Sequence, residues 1–282
     1  MIDAHLHVWK IDRGDYAWLT PALGPLYRDF LPEQAAAQLR AAEVHGAVLV
    51  QAAPTEEETR CLLAWAKREP WVAGVVGWVD LAAPDVDQRI AALRREGGGL
   101  LKGLRPMVQD MADVSWLARP ELDAGFEALI AHGLVFDALV KPVHFDALAQ
   151  RLSRHPALRA VLDHAGKPDI AGGDMVAWAA GLCALSTVHP GLVCKLSGLL
   201  TEACEGAKID VMRPWVQEVF ACFGPQRVMW GSDWPVLTLR SEYTGWHRMA
   251  QALVAEQAAG FEAEVFGGTA RRIYGLTRTS FK

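Results

Sequence analysis

Three histidines and one aspartate stand at positions from which they could act together on a bound molecule. His5 and His7 are two residues apart in the apolar segment that opens the chain, so on a β-strand their imidazoles point to the same face. His164 follows a short apolar run, and Asp233 follows the small pair Gly231-Ser232, which allows a ligand or another strand to approach closely. Imidazoles and a carboxylate that meet at one point can activate water as general bases, or can bind a catalytic zinc ion.

For these side chains to meet, the segments that carry them must lie side by side. Short apolar runs alternate along the chain with longer segments of helical period. The runs are continuously apolar, which is typical of parallel strands covered on both faces. The eight predicted strands are residues 2–8, 47–53, 72–81, 100–105, 134–140, 160–163, 192–196 and 228–231.

The repetition of strand and helix predicts one closed parallel barrel. Thr55 and Glu58 have the spacing of a capping box, which marks the start of a helix between two of these strands. No linker or charge block divides the chain, so we expect a single (β/α)8 barrel domain over residues 1–282. An open, doubly wound sheet is the alternative, but His5-Leu6-His7-Val8-Trp9 stands where such a sheet has its glycine-rich phosphate loop. In a barrel, active-site residues lie at the carboxyl ends of the strands.

Composition and charge exclude several classes of protein. The 282 residues are 51% hydrophobic and 22% charged, which excludes disordered and fibrous chains. The net charge of −5 comes without a basic cluster, so neither nucleic acid nor an anionic membrane is an expected partner. No apolar run approaches the ~20 residues of a membrane span, and no export signal follows Met1, so we expect a cytoplasmic protein. Its five cysteines include no C-x-x-C pair and are then expected to be reduced thiols.

Three motifs, taken together, resemble the amidohydrolase superfamily. They are the opening His5-x-His7, His164 in Asp-His-Ala-Gly-Lys-Pro, and Asp233 in Gly-Ser-Asp-Trp-Pro, and the resemblance extends from Ile2 to Tyr274. Within the superfamily the chain is most similar to the sugar-acid and dicarboxylate lactonases, and among these to the L-fuconolactonase and L-rhamnonolactonase group. The resemblance implies a distorted (β/α)8 barrel that opens a sugar lactone to its free acid, with a place in carbohydrate catabolism such as L-fucose degradation.

The resemblance bears on whether a metal takes part. Metal-loaded amidohydrolases carry further ligands on the middle strands, whereas the fourth and fifth predicted strands here end in Arg105 and Lys141-Pro142, without a histidine. Members of the lactonase branch are known to work without a metal, and an ester is easier to cleave than an amide. We therefore expect no required cofactor, and the alternative is a single zinc ion held by His5, His7 and Asp233.

Without a metal, Asp233 is the predicted general base. It would take a proton from a water molecule that adds to the lactone carbonyl, and would later return that proton to the ring oxygen. His5, His7, His164 and Arg105 would stabilise the developing oxyanion or hold the water. Because an ordinary aspartate is a weak base, we expect partial burial to raise the pKa of Asp233.

The expected substrate is a neutral, polyhydroxylated lactone, with L-fuconolactone or a close relative as the first choice. In the family it resembles, an arginine at the position of Arg105 contacts the substrate. A dicarboxylate should require several arginines around the mouth of the barrel. Tryptophan rings suit the C–H faces of a sugar, and amide or ammonium groups suit its hydroxyls. The predicted substrate-binding residues are Arg105, Gln51, Lys195, Trp9, Trp78 and Trp234.

Other functions stay open at this point. The same barrel could carry a zinc-dependent decarboxylase, an amide hydrolase or a dicarboxylate lactonase, and a barrel that binds a sugar without cleaving it is a further alternative. The sequence determines neither the ring size and configuration of the sugar nor the oligomeric state.

Overall fold

Eight parallel strands form one sheet whose order in space is their order along the chain, in a computed structural model that describes residues 1–277. All eight predicted strands are confirmed, although most end earlier than predicted: the third ends at Gly77, before Trp78. The strands β1 to β8 are Ile2–Leu6, Gly46–Val50, Val72–Gly77, Leu101–Leu104, Val135–Ala138, Ala160–Leu162, Val193–Leu196 and Val228–Trp230.

Backbone hydrogen bonds between β1 and the residues that follow β8 close the barrel. The Asp233 N–H donates to the His5 carbonyl at 2.8 Å, and the His7 N–H donates to the Trp234 carbonyl at 2.7 Å. Gly231 makes this approach feasible, because a Cβ there would lie 2.7 Å from the Cβ of His5. The predicted (β/α)8 barrel is therefore confirmed, and its closure places the first and last strands next to each other.

The α-helices of the described residues surround the strands and bury an apolar layer between helix and sheet. Thr55 is confirmed as an N-cap, since its Oγ1 accepts the Glu58 N–H at 3.1 Å. The Glu58 side chain does not complete the predicted capping box; its carboxylate accepts the backbone N–H groups of Ala52 and Ala53, which follow β2.

Within residues 1–277, no helix has the length and apolar character needed to span a membrane. Helices α1 to α9 are Pro32–Ala41, Glu56–Arg68, Val86–Gly97, Asp123–Ala131, Phe145–Arg154, Met175–Val188, Ile209–Phe223, Tyr243–Gln257 and Thr269–Tyr274.

The prediction that all the cysteines are reduced thiols is wrong for two of them. Cys183 on α6 and Cys222 on α7 form a disulfide that joins two neighbouring outer helices. No sequence pattern indicates this pairing, because only the packing of α6 against α7 brings the two sulfur atoms together. Cys61, Cys194 and Cys204 are free thiols.

Candidate active site

A cleft of about 260 Å³ opens at the carboxyl ends of the strands. Its polar lining includes three of the four predicted catalytic residues, His7, His164 and Asp233, together with Arg105. Its apolar lining comes largely from the segment between β1 and α1 and from the segment that follows Asp233. The lining side chains outside the catalytic group are Trp18, Leu23, Leu26, Ala52, Met107, Gln109, Asp110, Leu139, Lys167, Val236 and Leu239.

The four predicted catalytic side chains meet around one carboxylate oxygen. The Oδ1 atom of Asp233 lies 3.3 Å from the Nε2 atom of His7, 3.7 Å from that of His5 and 3.9 Å from that of His164. The two Nε2 atoms of His5 and His7 are themselves 3.1 Å apart. His5 is buried below the others and does not line the cleft, whereas His7 and Asp233 are buried but reach it.

A left-handed backbone turns His164 and Asp233 toward each other. Asp233 has a φ of 58°, and His164 begins a left-handed turn in which Ala165, Gly166 and Lys167 also have positive φ. The turn is closed by a hydrogen bond from the Lys167 N–H to the His164 carbonyl at 2.9 Å. Each such non-glycine residue costs roughly 1–2 kcal/mol, and strain of this kind is concentrated at functional sites. Two of the four residues that converge, His164 and Asp233, adopt this unfavourable backbone conformation.

The charge states of the group follow from burial and from the neighbouring rings. Burial lowers the pKa of His164 to about 4 and lowers the pKa of His5 well below its ordinary value, so both rings are neutral near pH 7. Burial by itself would raise the pKa of Asp233, but the surrounding rings, His164 first, outweigh it and hold that pKa below its ordinary value. The expectation of a raised pKa for Asp233 is therefore wrong, and the carboxylate is ionised over the whole physiological range.

The ring nitrogens that face away from Asp233 are also hydrogen-bonded. The Nδ1 atom of His7 lies 2.7 Å from the Val50 carbonyl, which can only accept, so His7 carries a proton there and a lone pair on Nε2 when neutral. The Nδ1 atom of His164 lies 2.8 Å from the Ser197 hydroxyl. These contacts hold both rings in fixed orientations.

Arg105, the predicted substrate contact, lines the cleft from the end of β4. Its guanidinium is buried, donates from Nη2 to the Gln51 carbonyl, and places Nη1 3.4 Å from Asp163 Oδ2 and 3.3 Å from His5 Nε2. The Nε–H of Arg105 is buried and has no hydrogen-bond partner among residues 1–277. Within this part of the chain, Arg105 therefore retains an unused donor.

Two of the other predicted substrate contacts have partners inside the protein. Gln51 does not line the cleft; it is fully buried and its amide donates to the Arg105 carbonyl at 2.7 Å. Lys195 lies deeper, with its ammonium 2.6 Å from Asp137 Oδ2 and 3.0 Å from Asp163 Oδ1. Both positions face the barrel interior below the cleft, and neither side chain is part of its lining.

The three predicted tryptophans pack against the protein instead of lining the cleft. Trp9 is fully buried against Phe30 and donates to the Arg28 carbonyl at 2.8 Å. Trp234 packs edge-on against the same phenylalanine. The Trp78 backbone N–H donates to the Thr59 hydroxyl, and the Trp78 ring does not line the cleft. Trp18, from the segment that follows β1, is the tryptophan that reaches the cleft, and its indole donates to the Ala52 carbonyl at 2.6 Å.

The sequence-based prediction missed Lys167, which lines the cleft in the left-handed turn after His164. Its ammonium is 2.5 Å from a carboxylate oxygen of Glu202. Gln109 and Asp110, from the segment after β4, add an amide and a carboxylate to the same cleft. Lys167 belongs to the Asp-His-Ala-Gly-Lys-Pro motif and could have been found from it, whereas no sequence pattern distinguishes Gln109 and Asp110.

The donor atoms of this group match those of a metal site in type and distance. His5, His164 and Asp233 each offer one atom, and these three atoms lie within 4.8 Å of one another. An imidazole that binds zinc usually donates its other ring N–H to a carboxylate or a carbonyl. His7 has such a contact, but the Nδ1 atom of His5 faces the Lys195 ammonium at 3.2 Å. To bind a metal, His5 would have to exchange that contact for one to Asp163, 3.5 Å away.

Comparisons with known proteins agree with the resemblance read from the motifs. A family model described as amidohydrolase matches residues 2–276. An L-fucono-1,5-lactonase of Burkholderia ambifaria is 43% identical over 99% of this chain and 97% of its own length. An L-fucono-1,5-lactonase of Burkholderia multivorans is 37% identical over 98% of this chain and 96% of its own. A crystal structure of an amidohydrolase from Burkholderia multivorans with bound zinc has a TM-score of 0.92 at 35% identity, covering 98% of this chain and 99% of its own.

Proposed function

The chain belongs to the amidohydrolase family, and we propose that it is a lactonase that opens L-fucono-1,5-lactone, or a closely related sugar lactone, to the free acid. The observation that carries this proposal is the position of the ionised Asp233 carboxylate, which lies within 4 Å of three imidazoles at the floor of a cleft. Two relatives that match nearly the whole chain are named L-fucono-1,5-lactonases, and they support this choice of substrate.

The charges in the cleft favour a neutral substrate. Its cationic side chains, Arg105 and Lys167, both have partners in the protein, and the carboxylates of Asp110 and Asp233 balance them. A dicarboxylate would require cations that are free to make bidentate contacts. A polyhydroxylated ring instead requires both hydrogen-bonding groups and apolar surface, and the lining of this cleft supplies both, with Gln109 and Lys167 among its polar side chains and Leu239 among its apolar ones. We therefore favour a sugar lactone over a dicarboxylate.

The proposed reaction begins with a water molecule in the cleft that donates a hydrogen bond to Asp233 Oδ1. Asp233 takes one proton from this water as its oxygen bonds to the lactone carbonyl carbon. The carbonyl oxygen becomes an oxyanion that accepts hydrogen bonds from Arg105 and from the His164 ring, both of which line the cleft. When the bond between the carbonyl carbon and the ring oxygen breaks, Asp233 returns its proton to that oxygen. The product is an open hydroxy acid, which ionises at neutral pH.

We further propose that this reaction does not require a metal. A zinc ion held by His5, His164 and Asp233 would supply a Lewis acid for the carbonyl or the water. A positioned carboxylate base contributes roughly 10²- to 10⁴-fold and one oxyanion donor roughly 10²- to 10³-fold, which together are substantial for an activated ester. The contact between His5 and the Lys195 ammonium also favours the metal-free form of the site.

A pH-indicator assay over a panel of sugar lactones tests the proposed function. We expect saturable release of acid from L-fucono-1,5-lactone, and slower release from lactones that differ in configuration. A dicarboxylate lactone and an aromatic carboxylate should give no product, the latter judged by release of carbon dioxide. Binding of the lactone without acid release would identify a sugar-binding barrel and would contradict the proposal, as would preferential cleavage of the dicarboxylate.

A further inference from the structure

A buried lysine lies directly beneath the catalytic group and is in contact with it. Lys195 on β7 is inaccessible to solvent, and its ammonium lies near three acceptor atoms: it is hydrogen-bonded to Asp137 Oδ2 at 2.6 Å and His5 Nδ1 at 3.2 Å, and forms an ion pair with Asp163, whose Oδ1 is 3.0 Å away. An ammonium has three hydrogens and no lone pair, so toward each of these atoms it can only donate. The Tyr274 hydroxyl donates to Asp137 Oδ2 at 2.7 Å and fixes that carboxylate from the other side.

The opposite edge of His5 faces an acceptor. His7 donates from Nδ1 to the Val50 carbonyl, so its Nε2 atom, 3.1 Å from His5 Nε2, presents a lone pair. A hydrogen bond between the two Nε2 atoms then requires the proton to be on His5. The Lys195 contact requires the same arrangement, because a ring nitrogen that accepts from an ammonium cannot carry a proton.

Arg105 offers a competing arrangement, which the other contacts disfavour. Its Nη1 atom lies 3.3 Å from His5 Nε2 and could donate there if the ring carried its proton on Nδ1. In that tautomer the His5 Nδ1–H would point at the Lys195 ammonium, so two donors would face each other. The Nε2 lone pairs of His5 and His7 would also face each other. The Nη1 group of Arg105 has another acceptor in Asp163 Oδ2 at 3.4 Å. The two contacts of His5 with Lys195 and His7 are satisfied together in only one tautomer.

We infer that Lys195 is a positioning residue for the reaction: by donating to His5 Nδ1 it keeps the proton of that ring on Nε2, where the N–H points toward His7 and Asp233. Hydrogen bonds then run in one direction from Lys195 through His5 and His7 to the Val50 carbonyl. The consequence for catalysis rests on the proposed function, because the fixed N–H then stabilises charge that develops beside Asp233. The tautomer itself does not depend on which substrate is cleaved.

Nitrogen-15 NMR of ring-labelled protein measures the tautomer directly. The signals of His5 are assigned by their loss in the His5→Gln variant. In the unsubstituted protein at neutral pH we expect a protonated Nε2 and an unprotonated Nδ1 for His5. A protonated Nδ1 would show that Arg105, and not Lys195, sets the ring, and would overturn the inference whether or not the protein is a lactonase.

The double variant Lys195→Met/Asp137→Asn tests the role of Lys195 while keeping the buried charges balanced. Removal of the ammonium should let His5 move its proton to Nδ1 and donate to Asp163, so the nitrogen-15 pattern should invert. We expect kcat to fall by about 100-fold, as for the loss of one oxyanion donor, and KM to change by less than about threefold. Tyr274→Phe is the matched control, because it removes a hydrogen bond from the same buried network without touching Lys195 or His5. It should retain both the tautomer and kcat.

Two results in the folded double variant would contradict the inference. An unchanged His5 tautomer would show that Lys195 does not determine which ring nitrogen of His5 carries the proton. An inverted tautomer with unchanged kcat would show that the position of the proton has no effect on the reaction. Lactonase activity in the unsubstituted protein is measured separately, so an absence of that activity would count against the proposed function alone.

Discussion

The Nε2 atom of His7 lies 3.3 Å from the Oδ1 atom of Asp233, although the two residues come from opposite ends of the chain. Two backbone hydrogen bonds hold the segments that carry these residues side by side. The His7 N–H donates to the Trp234 carbonyl, and the Asp233 N–H donates to the His5 carbonyl. The ionised Asp233 carboxylate reaches the cleft beside the His7 ring and can accept a hydrogen bond from a water molecule there. It is therefore suited to take a proton from that water.

Lys167 should contribute to substrate binding more than to the chemical step. Its ammonium lines the cleft and is held in place by Glu202, but it belongs to the rim and not to the group around Asp233. We expect Lys167→Ala to raise KM about tenfold, equivalent to roughly 1.4 kcal/mol, with kcat within about threefold of the unsubstituted protein. Lys208→Ala, at an exposed lysine on the N-terminal side of α7, is the matched control and should change neither constant. A large loss of kcat with unchanged KM in Lys167→Ala would contradict this role.

The pH dependence of the reaction should reflect a base that is already ionised. Asp233 has a lowered pKa, and burial lowers the pKa of His164 to about 4, so neither group changes state near neutrality. We expect kcat/KM to fall as His164 gains a proton near pH 4. Initial rates of acid formation, corrected for spontaneous hydrolysis, measure this profile. Half-maximal activity near pH 6 would indicate that another group controls the rate.

Removal of metal ions should leave the reaction unaffected. The protein is treated with a chelator, exchanged into metal-free buffer and assayed for both metal content and lactone hydrolysis. We expect full activity at a metal content far below one ion per chain, because the proposed base and oxyanion donors are supplied by side chains. Loss of activity that added zinc restores would overturn the metal-free mechanism and would assign His5, His164 and Asp233 as ligands.

Glu58 should make the protein less stable as the pH rises. This residue is fully buried, and burial raises its pKa to about 7 from the ordinary value of 4.5. Ionisation is thus disfavoured by folding, so stability falls as the pH increases from about 4.5 through about 7, by at most roughly 3 kcal/mol. Glu58→Gln keeps an oxygen for the Ala52 and Ala53 N–H groups but cannot ionise. The Tm of the unsubstituted protein relative to this variant should drop by several degrees between about pH 5 and about pH 8. A difference in Tm that does not change with pH would contradict the assignment.

The convergence of His5, His7 and Asp233 could be predicted because simple geometry determines it. His5 and His7 share a face of a strand by the alternation of side chains, and the closure of a barrel brings the first strand beside the last, where Asp233 follows. The eight strands could be predicted for a similar reason, since each is a short apolar run between helical segments. These features depend on local pattern and on the order of the strands.

The substrate-facing residues could not be predicted because they depend on register and on unusual backbone. Lys195 is near the end of β7, yet it faces an interior layer in which Asp137 on β5 and Asp163 at the end of β6 neutralise it. Trp9 lies beyond β1 but turns onto Phe30, in a loop whose path no strand rule describes. Lys167 reaches the cleft through a left-handed turn, which non-glycine residues rarely adopt. The pKa of Asp233 was predicted in the wrong direction because burial was considered without the rings that surround the carboxylate.

The most direct measurement of the central claim is the kcat of Asp233→Asn for L-fucono-1,5-lactone, compared with that of Asp110→Asn. Both residues line the cleft, but only Asp233 lies against the three imidazoles. If Asp233 is the base, its amide variant should fold normally and lose about 10²- to 10⁴-fold in kcat, whereas Asp110→Asn should retain kcat within about tenfold. A folded Asp233→Asn protein with a kcat close to that of the unsubstituted enzyme would contradict the proposed mechanism.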